Sequence, residues 1–255
     1  MRAHAVYATQ EAPLKQQLTD LLREAPEERT TSRVHAVVVP DSNLLDGGAA
    51  SARVFAAIRG QGYRHVIMVA PSRSGQFNRL NVCSLDQYRT PLGEVPISNR
   101  LRQELCDEDD DIFVGDEGHF HTHGVDAQLP FLQMTLEDFE LVPIVMGHEG
   151  PDLCRELGHA VGEVMYNQPT LLVACVSINE ADDAAMQDLR TRLENRDVSG
   201  LMQLVNGNRM NITGGGALLV ALIAALHRSA GTITITDFQR PADGKPGYLG
   251  ALLST

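Results

Sequence analysis

Val34-His35-Ala36-Val37-Val38-Val39, running straight into Pro40-Asp41-Ser42-Asn43, is the stretch that decides the fold. A mostly β-branched apolar run of this kind reads as a strand buried on both faces, and the turn residues close it at its carboxyl end. Val66 to Ala70 repeats the pattern and ends in Pro71-Ser72-Arg73-Ser74-Gly75; Leu141 to Met146, Leu171 to Val176 and Thr232 to Thr236 repeat it again. Between these runs the apolar period changes to that of a helix. Pro13 to Ala25 carries Leu14, Leu18, Leu21 and Leu22 on one stripe, and Ala49–Arg59, Pro151–Met165, Asp182–Asn195 and Gly216–His227 also read as helices. Strand-helix alternation predicts an α/β fold with a central, mostly parallel or mixed sheet and helices on both faces. With no repeat, low-complexity tract or linker composition, residues 1–255 read as a single domain. Ligands of such folds sit at the carboxyl ends of the strands. That rule gathers Asp41–Asn43, Arg73–Ser74, Ser177–Glu180 and the segment from His119 to Asp126 around one crevice.

Composition narrows the function classes. The 255 residues are 43% hydrophobic and 21% charged, which is ordinary for a globular chain. Thirty-three acidic against 21 basic residues give a net charge of −12, a surface that repels phosphate backbones and speaks against nucleic acid. The opening Met-Arg-Ala-His-Ala has no apolar signal region, and the longest apolar run, Ala217 to Leu226, is about half a membrane span. The four cysteines (Cys83, Cys106, Cys154, Cys175) have no Cys-x-x-Cys spacing and suggest neither a disulfide framework nor a structural zinc site. A cytoplasmic protein without membrane contact is expected.

The loudest local signal is His119-Phe120-His121-Thr122-His123 with Asp126. If extended, alternate histidines share a face and two imidazoles can meet one metal, with Glu117 and Asp126 completing a nitrogen/oxygen shell for iron, zinc or manganese. Histidines in an acidic loop can equally be solvated. Asn211-Ile212-Thr213-Gly214-Gly215-Gly216 precedes a strongly apolar helix, so its N–H groups are open either to an anion or to close packing against the sheet. The acidic run Cys106 to Asp111 lacks the spacing of a calcium loop. Cys175, inside an apolar strand, reads as an inert core thiol.

Several segments together resemble the Memo family, whose fold is that of the LigB-type class III extradiol dioxygenases. They are the opening Ala3-His4-Ala5-Val6-Tyr7-Ala8, the block Tyr88-Arg89-Thr90-Pro91-Leu92-Gly93, the segment His123-Gly124-Val125-Asp126 through Leu129-Pro130-Phe131, and Val142-Pro143-Ile144-Val145-Met146-Gly147. The resemblance implies a metal site, and the departures fall on it. Asp41 stands where the family has its first metal-site histidine, and Arg73 and Ser74 stand at a pair of histidines. Ser177 and Glu180 replace an aspartate and a histidine, and Thr213 replaces a cysteine; His123 and Asp126 remain. Candidate catalytic residues are therefore Asp41, His123, Asp126, Glu180 and Thr213, with Arg73, Ser74 and Ser177 as ligand-binding residues. Arg73 can pair with Asp41 or Glu180, or hold a small anionic ligand.

The implied function is a non-catalytic or repurposed binding or scaffold module that holds no metal. The family resemblance also implies a protein partner of the AMMECR or radical-SAM type. The alternative is a divergent metal-dependent dioxygenase or oxidoreductase, with iron or zinc in a rebuilt Asp41/His123/Glu180 shell supported by Asp126.

Overall fold

The computed structural model describes residues 6–26, 30–73, 77, 79–108, 111–119, 123–207 and 209–255. In chain order, α1 (Glu11–Glu24) leads to β1 (Val34–Pro40), α2 (Leu44–Ala57) and β2 (His65–Pro71). Next come β3 (Leu80–Val82), the hairpin strands β4 (Gln87–Thr90) and β5 (Gly93–Pro96), α3 (Asn99–Glu108) and β6 (Ile112–Val114). α4 (His123–Thr135), β7 (Glu140–Met146), α5 (Pro151–Val164) and β8 (Thr170–Ala181) follow. The chain then runs through α6 (Asp183–Glu194), α7 (Val198–Val205), β9 (Met210–Thr213), α8 (Gly215–His227), β10 (Thr232–Gln239) and β11 (Tyr248–Ser254). α2 starts five residues before the apolar period suggests, because the Asn43 side chain accepts the N–H groups of Leu45 (2.9 Å) and Asp46 (3.0 Å) and caps it there.

Among the described residues one mixed sheet runs β10-β11-β1-β8-β2-β7-β3-β6, with β9 paired to the outer part of β8. Its centre, β1-β8-β2-β7, is parallel throughout. β11 runs antiparallel to β1 and β3 antiparallel to β7. The central strands are buried along their apolar runs, with polar residues near their starts (His35, His65, Glu140) reaching solvent, and alternate residues serve opposite faces. Val37, Val39, Met68 and Val173 pack in one cluster with residues of α1, α2 and α4. Ala36, Val38, Ile67 and Ala174 pack in the other with residues of α5, α6, α7 and α8. The architecture is thus the expected α/β domain: a mixed central sheet between two helical layers.

Two elements depart from expectation. His119 lies in a short helical turn and His123 opens α4, so neither of these two stands in the extended backbone that an alternate-face presentation would need. β11, unread in the sequence, occupies an inner position between β1 and β10. Among the described residues no helix is long and apolar enough to cross a membrane.

Candidate functional site

The carboxyl ends of the four parallel strands meet the amino ends of α4 and α8. β1 delivers Asp41, whose N–H donates to the Val176 carbonyl of β8 (3.0 Å), and whose side chain is 1% exposed. β2 delivers Arg73. Its guanidinium donates to Asp41 Oδ2 through Nε (3.1 Å) and Nη2 (2.5 Å), and Nη2 also donates to the Asp41 carbonyl (2.9 Å). From β8, Ser177 Oγ donates to that same carbonyl (3.0 Å). One arginine and one serine thereby clamp both the side chain and the backbone of Asp41. Arg73 itself is 36% exposed, so the pair closes the mouth of the crevice rather than lying deep in the core.

α4 approaches this pair end-on. A Cβ at Gly124 would come within 2.7 Å of Asp41 Oδ1 and of Cys175 Cβ, so only glycine lets the first turn of the helix sit there. Cys175 is fully buried, and burial with the nearby Asp41 charge pushes its thiol well up, which leaves it inert at neutral pH.

The glycine-rich start of α8 takes an internal anion. Glu149, just past the end of β7, accepts the N–H of Gly216 at Oε2 (2.6 Å) and that of Gly214 at Oε1 (3.3 Å). A carboxylate here satisfies helix N–H groups that would otherwise need an outside partner. Burial pushes the Glu149 carboxyl above its ordinary value, the N–H bonds pull partly back, and the charge of Asp41 pushes up again. A carboxyl whose folded pKa is raised contributes stability that is full below its unfolded value and is lost as pH rises through the folded value. The stability of the wild-type chain relative to Glu149→Gln should therefore fall as pH is raised from about 4.5 toward neutrality. Urea unfolding of the two proteins over that range checks it, and a constant difference would contradict it.

The other predicted residues divide. Thr213 pairs with Ser177 across the β8–β9 ladder, and its hydroxyl accepts from the Asn179 amide (2.8 Å), so it stands next to the crevice. Asp126, in the first turn of α4, accepts the Tyr88 hydroxyl (2.7 Å) and lines a neighbouring cavity. Glu180 is a correction. A bulge between Ile178 and Glu180 turns the outer part of β8 away, and the exposed Glu180 lines a separate groove with Asp182 and Arg209. Three residues beyond Ser177 along a strand is roughly 10 Å, too far to share the Asp41 carboxylate's partner. Glu117, expected as a metal-shell residue, pairs with Arg79 instead (2.6 Å). Ser74 and His121 lie outside the described residues, as does the side chain of His123. Glu149 was not anticipated; its only signal is an acidic residue following a strand, in a chain where a glycine-rich helix start needs an acceptor.

A family model described as Memo-like protein matches residues 1–245. A MEMO1 family protein of Saccharolobus islandicus is 26% identical over 234 residues, covering 84% of this chain and 81% of that protein. One of Thermoplasma acidophilum is 23% identical over 229 residues, covering 88% and 84%. In fold, the chain is similar to an uncharacterized protein of Escherichia coli K12 known from a crystal structure, with a TM-score of 0.61 at 16% identity, over 87% of this chain and 100% of that one.

Proposed function

The chain belongs to the Memo-like protein family, and from that premise we propose that it is a binding module of this family in which an internal ion pair has replaced the metal site. The observation that carries the reading is the Arg73–Asp41 contact, two guanidinium N–H groups on Asp41 Oδ2, with Asp41 buried behind it. A guanidinium is charged at every accessible pH, so a divalent cation placed against Asp41 would meet a fixed positive charge. Two neighbouring groups are also committed: Glu149 to the start of α8 and Ser177 to the Asp41 carbonyl. Among the described residues no three of His, Cys, Asp and Glu are gathered around one point. Among the described residues the donor chemistry does not fit iron or zinc, and no metal-dependent step is derived from it. Of the two roles open to Arg73, pairing with Asp41 is the one its geometry takes up. This leaves less of its fork for an outside anion. The rebuilt dioxygenase shell has weaker support, since Glu180 faces another groove.

The test is oxygen uptake by the purified chain supplied with iron(II) and a catechol under reducing conditions. The expected result is uptake indistinguishable from the buffer and iron control. Turnover that is abolished by Asp41→Ala would overturn the reading.

A further inference from the structure

Among the described residues the sheet ends in two outer strands, β6 and β10, and they are built differently. β6 is three residues long, which leaves little backbone to template another strand. β10 runs through eight, Thr232-Ile233-Thr234-Ile235-Thr236-Asp237-Phe238-Gln239, and among the described residues it pairs only with β11. No lysine or proline guards it, and Thr232, Thr234 and Gln239 are exposed. Its one irregularity is a bulge between Ile235 and Asp237, with a regular ladder on either side. In a strand held from one side, alternate N–H and C=O groups point beyond the edge. The threonine–isoleucine alternation is of the kind that packs well against a neighbouring strand.

We infer that the β10 edge takes an extended, acidic segment of a partner protein as an added strand. Charge selects this occupant. The charged groups bonded to or stacked on β10 and the residue before it are Arg53, Arg190 and Arg196 against Asp237. Arg53 and Asp237 pair with each other. Arg190 lies over the Phe238 ring (4.9 Å), and Arg196 donates to the Gly231 carbonyl; among the described residues neither pairs with a carboxylate. The carboxylates of α6 are largely taken: Asp183 by Arg240 and Asp188 by Arg192 and Arg209, which leaves Glu194. In a chain of net charge −12, two guanidiniums without a carboxylate thus stand one near each end of the open strand. Along an extended backbone the two ends are about 23 Å apart, so a segment with carboxylates at both ends can meet both. A second copy fits less well. Antiparallel pairing of β10 with itself brings its Phe238 end against the Gly231 end of the other copy, and with it Arg190 toward that copy's Arg196. The inference goes beyond the ion-pair reading and does not rest on it, since metal found at Asp41 would leave this edge unchanged.

The experiment is fluorescence anisotropy of the full chain with labelled peptides that share a core of three Thr-Val repeats. One peptide carries two glutamates at each end, the second carries lysines in their place, and the third keeps the glutamates but has a proline in mid-core. Saturable binding of the glutamate peptide is expected, with the lysine peptide weaker by about tenfold or more. The proline peptide, which lacks a ladder N–H, should not bind detectably. Thr234→Asp, at an exposed position on the edge, and Arg196→Gln should each weaken the glutamate peptide by about fivefold or more. Arg89→Gln, on the β4–β5 hairpin, should change nothing. Sedimentation of the chain without peptide should give the same mass for the wild type and Thr234→Asp. No binding of the glutamate peptide, equal binding of the glutamate and lysine peptides, binding indifferent to both variants, or a dimer that Thr234→Asp separates would overturn the inference.

Discussion

Alanine at Gly214 should destabilise the protein by about 4 kcal/mol or more, among the largest effects of a single substitution. Two independent costs combine. Gly214 has φ +80°, a left-handed conformation that costs a residue with a Cβ about 1 kcal/mol. The added Cβ would also lie 2.1 Å from the Cys175 carbonyl oxygen, a backbone atom of a central strand that cannot turn aside as a side chain would. Relief requires α8 to move off β8, which loosens the apolar packing of that helix and the Glu149 contact at its start. Gly244 separates the two costs: its φ is +74° and nothing lies within 4 Å of its added Cβ. Alanine there should cost about 1 kcal/mol. Equal losses at the two positions, measured by chemical unfolding, would show that the close approach at Gly214 carries no weight.

Replacement of Arg73 by leucine should cost about 2–4 kcal/mol. The origin is asymmetric. Asp41 is 1% exposed and cannot regain water, so removing the guanidinium takes two charge-assisted hydrogen bonds from a buried carboxylate. Arg73 is 36% exposed, and when Asp41 is the residue removed it can turn to solvent, so Asp41→Ala should cost less than Arg73→Leu. The exposure of Arg73 also sets the figure below that of a fully enclosed pair. Combining the two substitutions should recover part of the loss, giving a coupling of about 1–3 kcal/mol in a double-mutant cycle. Additive losses would mean that the two side chains act independently.

What was legible in the sequence follows from burial. The strands β1, β2, β7 and β8 announce themselves because a strand covered on both faces has no polar residues to alternate. α4 is harder to read: it opens in the histidine-rich segment and contains Pro130, yet Val125, Leu129 and Leu132 keep helical spacing and are fully buried. α3 shows only Leu101 and Leu105 in an otherwise polar sequence, so its period is too short to stand out. β11 carries Gly250 in its middle, which reads as a break, although it is buried throughout between two antiparallel neighbours.

The site was legible in so far as it lies at strand ends. Asp41, Arg73 and Ser177 each follow or end a readable strand, and their meeting follows from the parallel order of β1, β8 and β2. Glu180 was misplaced because position along a strand does not reveal a bulge. Glu149 went unread because the need it fills, an acceptor for the first N–H groups of α8, arises only when β7 and α8 are brought together.

What stands beside Asp41, a guanidinium or a metal ion, decides between an ion pair and a metal site. Elemental analysis of the chain, purified without chelator after expression in medium supplemented with iron, zinc and manganese, tests that most directly. An arginine held against Asp41 predicts metal far below one ion per chain, unchanged in Asp41→Ala. One equivalent of iron or zinc in the wild-type protein, lost in Asp41→Ala, would contradict it.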